Sequence, residues 1–195
     1  MKKGIWITIA VVGAITLAAA GAFVVVSNGL FHKEAKGLIL YGTEQQLSAD
    51  RELEAEDTEY SYQTEVKIVD ENLMIIREKD MKELCGKQIV NQVNEKEQCE
   101  PVSEIESAKE TPVYYAKNSK TDINIEGKEL KVTAGDDLII GTGRVFDEGY
   151  LVVSDNCYEK LDGAETGMLV LGLNKAADKE IERCQFENVQ LIDMP

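Results

Sequence analysis

The sequence predicts an α+β fold: an N-terminal transmembrane helix, then one domain with an antiparallel or mixed sheet and helices mainly on one face. Three observations carry that expectation. The stretch from Gly4 to Val26, GIWITIAVVGAITLAAAGAFVVV, is 23 residues without a charge. After it, short apolar and β-branched runs recur between Gly, Asn and Asp turns. Between those runs lie a few segments that open on helix-start signals.

The apolar run comes first. At ~1.5 Å per residue it reaches roughly 34 Å, enough to cross a hydrocarbon core of ~30 Å. Lys2 and Lys3 precede it, so the positive-inside rule leaves the N-terminus in the cytoplasm and the remainder outside. Residues 1–27 therefore read as a single-pass membrane anchor, 28–36 as a polar stalk and 37–195 as an extracytoplasmic domain. Ala18-Ala19-Ala20 offers an alternative, a signal-peptide cut near Ala20 that would secrete the domain. Phe23 to Val26 continue the apolar run past that cut and favour the anchor. A lipid anchor would need a cysteine just after the small residues, and the first cysteine is Cys85. Ala10, Ala14, Ala18 and Ala22 recur every fourth residue, a spacing that lets two such helices approach closely.

In the domain, GLILYG (37–42) reads as a buried strand. Thr43 with Gln46 three residues on is a capping box that opens an acidic helix. TEVKIVD and NLMIIRE (64–78) form a hairpin around Asp70-Glu71-Asn72. Residues 78–99 read as helix in two pieces, interrupted at Gly86, and 101–112 as a charged loop between two prolines. VYYA (113–116) is a short strand, and DINIEGKELKVTA (122–134) alternates on both sides of Gly127-Lys128, a second hairpin. The last 45 residues or so read β-α-β-α-β, with strands at 149–154, 166–173 and 188–193 and helices at 155–161 and 175–185.

With Lys2 and Lys3 set aside, the remainder carries 19 basic against 36 acidic side chains, a net charge of −17. Such a surface repels nucleic acid and anionic headgroups and suits a cationic partner. Cys85, Cys99, Cys157 and Cys184 are even in number and lie where disulfides are permitted. Their spacing matches no zinc site, and the pairs Cys85–Cys99 and Cys157–Cys184 are expected as disulfides. In the second pair, Ile181 and Cys184 sit three apart on one helix face.

Candidate chemistry is sparse. Ser154 stands at a strand-to-helix junction, but a nucleophile elbow sets its serine between glycines, and here Val153 and Asp155 flank it. Ser154 therefore reads as a helix N-cap. The sole histidine, His32, lies on the stalk, so neither Ser154 nor Cys157 has a histidine base in the domain. Gly141-Thr142-Gly143 lacks the third glycine and the lysine of a phosphate loop. Asp136-Asp137 and Asp147-Glu148 match no calcium-loop spacing. No catalytic, metal or cofactor residues are assigned. Tyr114 and Tyr115 are candidates for a binding surface, and Arg144, after a tight turn, for a ligand or sheet-edge contact.

GLILYGTEQQL, LIIGTGR and YLVVSDNCYEKLDGAETGMLVLGL resemble segments of a family of small uncharacterised surface lipoproteins of Gram-positive bacteria. The likeness spans residues 37–192 and is dense at the two ends. It implies a surface location; the lipobox cysteine is missing, and no functional residues carry over. The strand, Ser-Asp, short helix and strand of 150–173 are also similar to the extracytoplasmic domains of MacB/FtsX-like ABC permeases. That likeness implies a non-catalytic domain that senses or transmits events outside the membrane. The expected function is a membrane-anchored, non-catalytic binding or accessory domain. Its expected partner is an integral membrane transporter, a sensor or a cationic peptide, in an antimicrobial-peptide response. The alternative is a cell-envelope hydrolase using a carboxylate pair.

Overall fold

The computed structural model describes residues 23–25, 35–49, 58–177 and 188–192, and these are the described residues below. In chain order the strands are β1 (Phe23–Val25), β2 (Gly37–Gly42), β3 (Thr58–Val69), β4 (Leu73–Arg77), β5 (Val90–Val93), β6 (Cys99–Pro101) and β7 (Val113–Tyr115). They continue with β8 (Asp122–Ile125), β9 (Lys128–Lys131), β10 (Thr133–Ala134), β11 (Leu138–Ile140), β12 (Gly149–Val153), β13 (Ala164–Leu173) and β14 (Asn188–Ile192). The helices are α1 (Glu44–Ala49), α2 (Glu78–Gly86) and α3 (Asp155–Tyr158).

Nine strands make one mixed sheet in the order β1-β14-β2-β13-β3-β4-β12-β7-β10. β11-β5-β6 form a small second sheet, and β8-β9 a separate hairpin. The central strands β2, β4 and β12 are buried nearly end to end, which is why they read as continuous apolar runs instead of alternating ones. β13 pairs antiparallel with β2 on one side and β3 on the other, while β4 and β12 run parallel. In the first half of β3, exposed Glu59, Ser61 and Gln63 alternate with half-buried Tyr60 and Tyr62. One face there meets the core and the other meets water.

Both faces of the sheet are covered. On one, Ile39, Tyr41, Met74, Ile76, Tyr150, Val152, Met168 and Val170 meet α2 through Met81 and Leu84, and meet the small sheet through Val90 and Ile140. On the other, Ile75, Leu151 and Val153 pack beneath Tyr158 of α3 and Ile125 of the β8–β9 hairpin. Leu38, Leu40, Leu169 and Leu171 pack there against Leu47 of α1. The expectation of helices mainly on one face is therefore corrected: the described helices divide between two faces. The cause is visible in β2 and β4, whose odd and even positions are equally apolar and so demand cover on both sides.

The local signals of the first half hold. Thr43 and Gln46 form the reciprocal box, the Thr43 N–H donating to Gln46 Oε1 at 2.8 Å and the Gln46 N–H to Thr43 Oγ1 at 3.3 Å. Asp70 and Glu71 both take positive φ (48° and 62°) between β3 and β4, the geometry a two-residue hairpin turn requires. Glu126 and Gly127 do the same between β8 and β9.

The second helical piece expected within 78–99 is not there. Ile89, Val90 and Val93 are β-branched and enter a sheet, and Asn94 closes the hairpin turn by accepting from the N–H groups of Lys96 (2.9 Å) and Gln98 (3.0 Å). An asparagine that hydrogen-bonds its own backbone two residues on favours a turn over a helix. Ser154 stands at the N-cap of α3 with extended backbone, but its hydroxyl makes no capping hydrogen bond. Its carbonyl accepts from Cys157 and Tyr158 instead.

Phe23–Val25, within the expected span, form a strand that pairs with β14 in parallel. The rest of that span lies outside the described residues, as do residues 178–185 of the helix expected over 175–185, whose residues 175–177 are not helical. Among the described residues no helix is long and apolar enough to cross a membrane.

The charged loop of 102–112 is held by one carboxylate. Glu78 accepts from Lys82 Nζ at 2.5 Å, from Ser107 Oγ at 3.3 Å and from the Ala108 N–H at 3.0 Å. Burial pushes its pKa up, but these hydrogen bonds outweigh burial and hold it below the ordinary 4.5. A carboxyl whose folded pKa is depressed stabilises the fold above its unfolded pKa, and that contribution is lost as pH falls through the folded value. Glu78→Gln is therefore expected to flatten the acid limb of stability against pH. Urea midpoints of both proteins at neutral pH and at about pH 3 check it: the gap between them should shrink on acidification.

Candidate functional site

A cleft of about 520 Å³ opens where the loops after β7 and before β12 meet the β8–β9 hairpin. Its apolar lining is Leu73, Tyr114, Ala116 and Ile123, and its polar lining includes Lys117, Asn118, Lys120, Asp122, Asp147 and Glu148. That volume lies within the roughly 300–1,000 Å³ typical of ligand clefts. Backbone and side-chain bonds set its walls. Tyr114 donates its hydroxyl to the Glu148 carbonyl at 2.6 Å, and Ser119 Oγ donates to the Tyr114 carbonyl at 2.6 Å. The Glu148 N–H donates to the Asn72 carbonyl at 3.0 Å, tying the wall to the β3–β4 turn. Burial first, and then the Glu148 charge, raise the Tyr114 phenol above its ordinary pKa. It is therefore a neutral donor throughout the physiological range.

Tyr114 and Tyr115 do not share a surface. Side chains alternate along a strand, and Tyr115 points through the sheet to the opposite face. There its hydroxyl accepts from the Glu106 N–H at 3.0 Å, and burial first pushes its pKa up to about 12. Only Tyr114 lines the cleft.

Arg144 also lies on that opposite face, paired with Asp137. The turn before it is pinned to β14. Gln190 Nε2 donates to the carbonyls of Ile140 (2.5 Å) and Gly143 (3.0 Å), and Thr142 Oγ1 donates to the Leu191 carbonyl at 2.9 Å. Gly141 has φ +76°, and a Cβ there would sit 2.9 Å from Gln190 Cδ. The LIIGTGR stretch thus locks the small sheet to β14 of the large one.

The expected disulfides are absent from the described residues: Cys85, Cys99 and Cys157 are free thiols. Cys85 is fully buried between α2 and the sheet. Cys99 is carried away from it, because residues 90–93 form a strand and deliver Cys99 to the start of β6, near Asp137 and Arg144. Cys157 packs against the cluster that contains Leu151, Val153 and Tyr158, and Cys184 lies outside the described residues. All three thiols are raised in pKa. Burial alone takes Cys85 to about 11. Burial leads for Cys99, with the Asp137 charge adding and Arg144 opposing. It leads also for Cys157, where Lys160 opposes. A nucleophilic thiol needs the reverse shift.

Sequence reasoning passes over the aromatic sandwich at the C-terminal ends of β4 and β12. The Tyr158 ring lies between the Arg77 guanidinium, 3.6 Å from its centroid, and the Lys67 ammonium, at 4.7 Å. Lys67, only 7 % exposed, donates to the carbonyls of Tyr158 (3.0 Å) and Leu161 (2.9 Å). It satisfies carbonyls at and just after the end of α3 and so positions that helix. The cleft's polar wall escapes it too. KNSK, residues 117–120, is a polar turn like many others until the fold sets it opposite Asp147-Glu148. Among the described residues no three His, Cys, Asp or Glu side chains gather as a metal site would need.

A family model described as an uncharacterised lipoprotein family matches residues 35–195. The chain belongs to that family. Membership of a lipoprotein family points to a membrane-associated or surface location for the domain. The fold is similar to that of a crystal structure of a protein from Bacillus anthracis, described as a candidate lipoprotein. The TM-score is 0.70 and the identity 21 %, and the match covers 83 % of this chain and 100 % of that one. Neither description names a MacB/FtsX-like permease domain. No curated relative matches the chain.

Proposed function

We propose that this lipoprotein-family domain is a non-catalytic binding module held on the outer side of the membrane. The cleft beside Tyr114 is its ligand site, and a short cationic peptide is its ligand. It would serve an envelope transporter of the ABC type, or a response to antimicrobial peptides. The observation that carries this reading is the cleft itself: a braced cavity of ligand size lined by apolar side chains, by Asp122, Asp147 and Glu148, and by Lys117 and Lys120. The net charge of −15 over the whole chain adds long-range attraction for a cation. The three raised thiols and the uncapped Ser154 hydroxyl, with no histidine among the described residues, argue against nucleophilic catalysis.

The test is calorimetric titration of the full chain with a lysine-containing tripeptide. Binding is expected, and Asp147→Asn with Glu148→Gln should weaken it at least about tenfold, the scale of one lost charge-assisted hydrogen bond. No heat, or equal affinity in the double variant, would remove the cleft as the site. Hydrolysis of the peptide during the titration would move the assignment to an enzyme using the same carboxylates. Crosslinking in native membranes addresses the setting, and recovery of a permease in stoichiometric amount is the expected result.

A further inference from the structure

We infer that the cleft is polarised and recognises a peptide by its free C-terminal carboxylate as well as by its positive charges. This rests on the binding role proposed for the cleft and adds the chemistry of the group it selects. Lys117 and Lys120 stand on the loop that follows β7, and Asp147 and Glu148 on the loop that precedes β12. Charges of opposite sign thus come from two loops of one cavity, and Asp122 at the start of β8 adds a third carboxylate beside the lysine loop.

These charges are not used up within the protein. Lys120, Asn118 and the side chains of Asp147 and Glu148 make no hydrogen bond or ion pair among the described residues. Lys117 approaches Glu97 at 3.7 Å, but the two side chains are 68 % and 82 % exposed, and so open a pair contributes little. Elsewhere in the molecule such charges find one another: Lys128 meets Asp162 at 2.6 Å and Lys82 meets Glu78 at 2.5 Å. The cleft lysines and carboxylates stay apart across an apolar lining of Leu73, Tyr114 and Ile123.

Charge complementarity then selects the occupant. A simple anion would meet three carboxylates, Asp122, Asp147 and Glu148, against two lysines. A simple cation would leave Lys117 and Lys120 unanswered. A peptide with free ends and one basic side chain carries two positive charges and one carboxylate, and answers both walls. The braced loops mean that little ordering accompanies binding: Ser119 ties the lysine loop to Tyr114, and Tyr114 with Asn72 ties the carboxylate loop.

The experiment compares the full chain's affinity for the tripeptide Ala-Lys-Ala as free acid and as C-terminal amide. The acid is expected to bind about tenfold more tightly, equivalent to about 1.4 kcal/mol. In Lys120→Gln, an exposed site, the ratio of acid to amide affinity should fall to about one. Equal affinities of acid and amide for the unaltered chain would overturn this inference and leave the binding role standing. Binding of neither would overturn the binding role and this inference with it. An acid preference that survives Lys120→Gln and also Lys117→Gln would overturn the assignment to these two lysines.

Discussion

Gly149→Ala is expected to destabilise the protein by about 2–5 kcal/mol. Gly149 opens β12 with φ +94°, a conformation that costs an L-residue about 1–2 kcal/mol. The added Cβ would also overlap the Tyr115 carbonyl oxygen and lie 3.0 Å from Ala116 Cβ. That oxygen belongs to the neighbouring strand β7, which pairs with β12 through Tyr150 and Tyr115. It cannot move aside without parting the ladder, and overpacking of this kind adds about 1–3 kcal/mol. Folded domains hold only about 5–15 kcal/mol in total, so much of the reserve would go. Gly127→Ala is the control. It shares the left-handed backbone (φ +83°) but has no atom within 4 Å of the new methyl, so only the backbone penalty of about 1–2 kcal/mol should remain. Urea denaturation of the two variants checks both numbers. Equal losses would mean that crowding at Tyr115 plays no part.

The second large effect concerns the arginine of the LIIGTGR stretch. Arg144→Ala is expected to lower stability by about 2–3 kcal/mol, somewhat below the loss on breaking a fully buried pair. It should leave peptide binding in the Tyr114 cleft unchanged. The side chains of Arg144 and Asp137 are only 22 % and 16 % exposed, so removing one strands the other's charge in a poorly solvated place. Their pair sits on the sheet face that carries Tyr150 and Ile140, whereas Tyr114 and Leu73 belong to the opposite face. A double-mutant cycle separates pairing from simple loss of bulk. Arg144→Ala combined with Asp137→Asn should recover part of the stability. If Arg144→Ala leaves the urea midpoint in place and weakens the peptide instead, the arginine is a ligand contact and the cleft assignment is wrong.

Much of the local structure is legible in the order of residues. The hairpin around Asp70-Glu71-Asn72, the Thr43–Gln46 box and the strands GLILYG and GYLVV follow from turn chemistry and apolar runs within a dozen residues, and the second hairpin turns at Glu126-Gly127, one residue before the expected Gly127-Lys128. Where sequence and structure part, the deciding contacts are distant in the chain. The charged spacing of residues 90–99 tolerates a helix, yet β5 forms there because Val90 and Asn91 find Ile140 and Ile139 of β11 about fifty residues later. The Cys85–Cys99 crosslink fails with that helix, since the strand that replaces it moves Cys99 to another sheet.

Neighbouring residues set the local pieces: which runs are buried, where the chain turns, and how strongly acidic the domain is. Which pieces meet is settled by the packing of the whole fold. It put the adjacent Tyr114 and Tyr115 on opposite faces, committed Arg144 to Asp137, and brought Lys117 and Lys120 to the mouth that Asp147 and Glu148 share. The physical reason is one of range. Backbone torsion, capping and hydrophobic period act over a few residues and leave their mark in the order of letters. A cleft is a meeting of loops whose positions depend on strand order, and strand order is set by burial summed over the whole sheet.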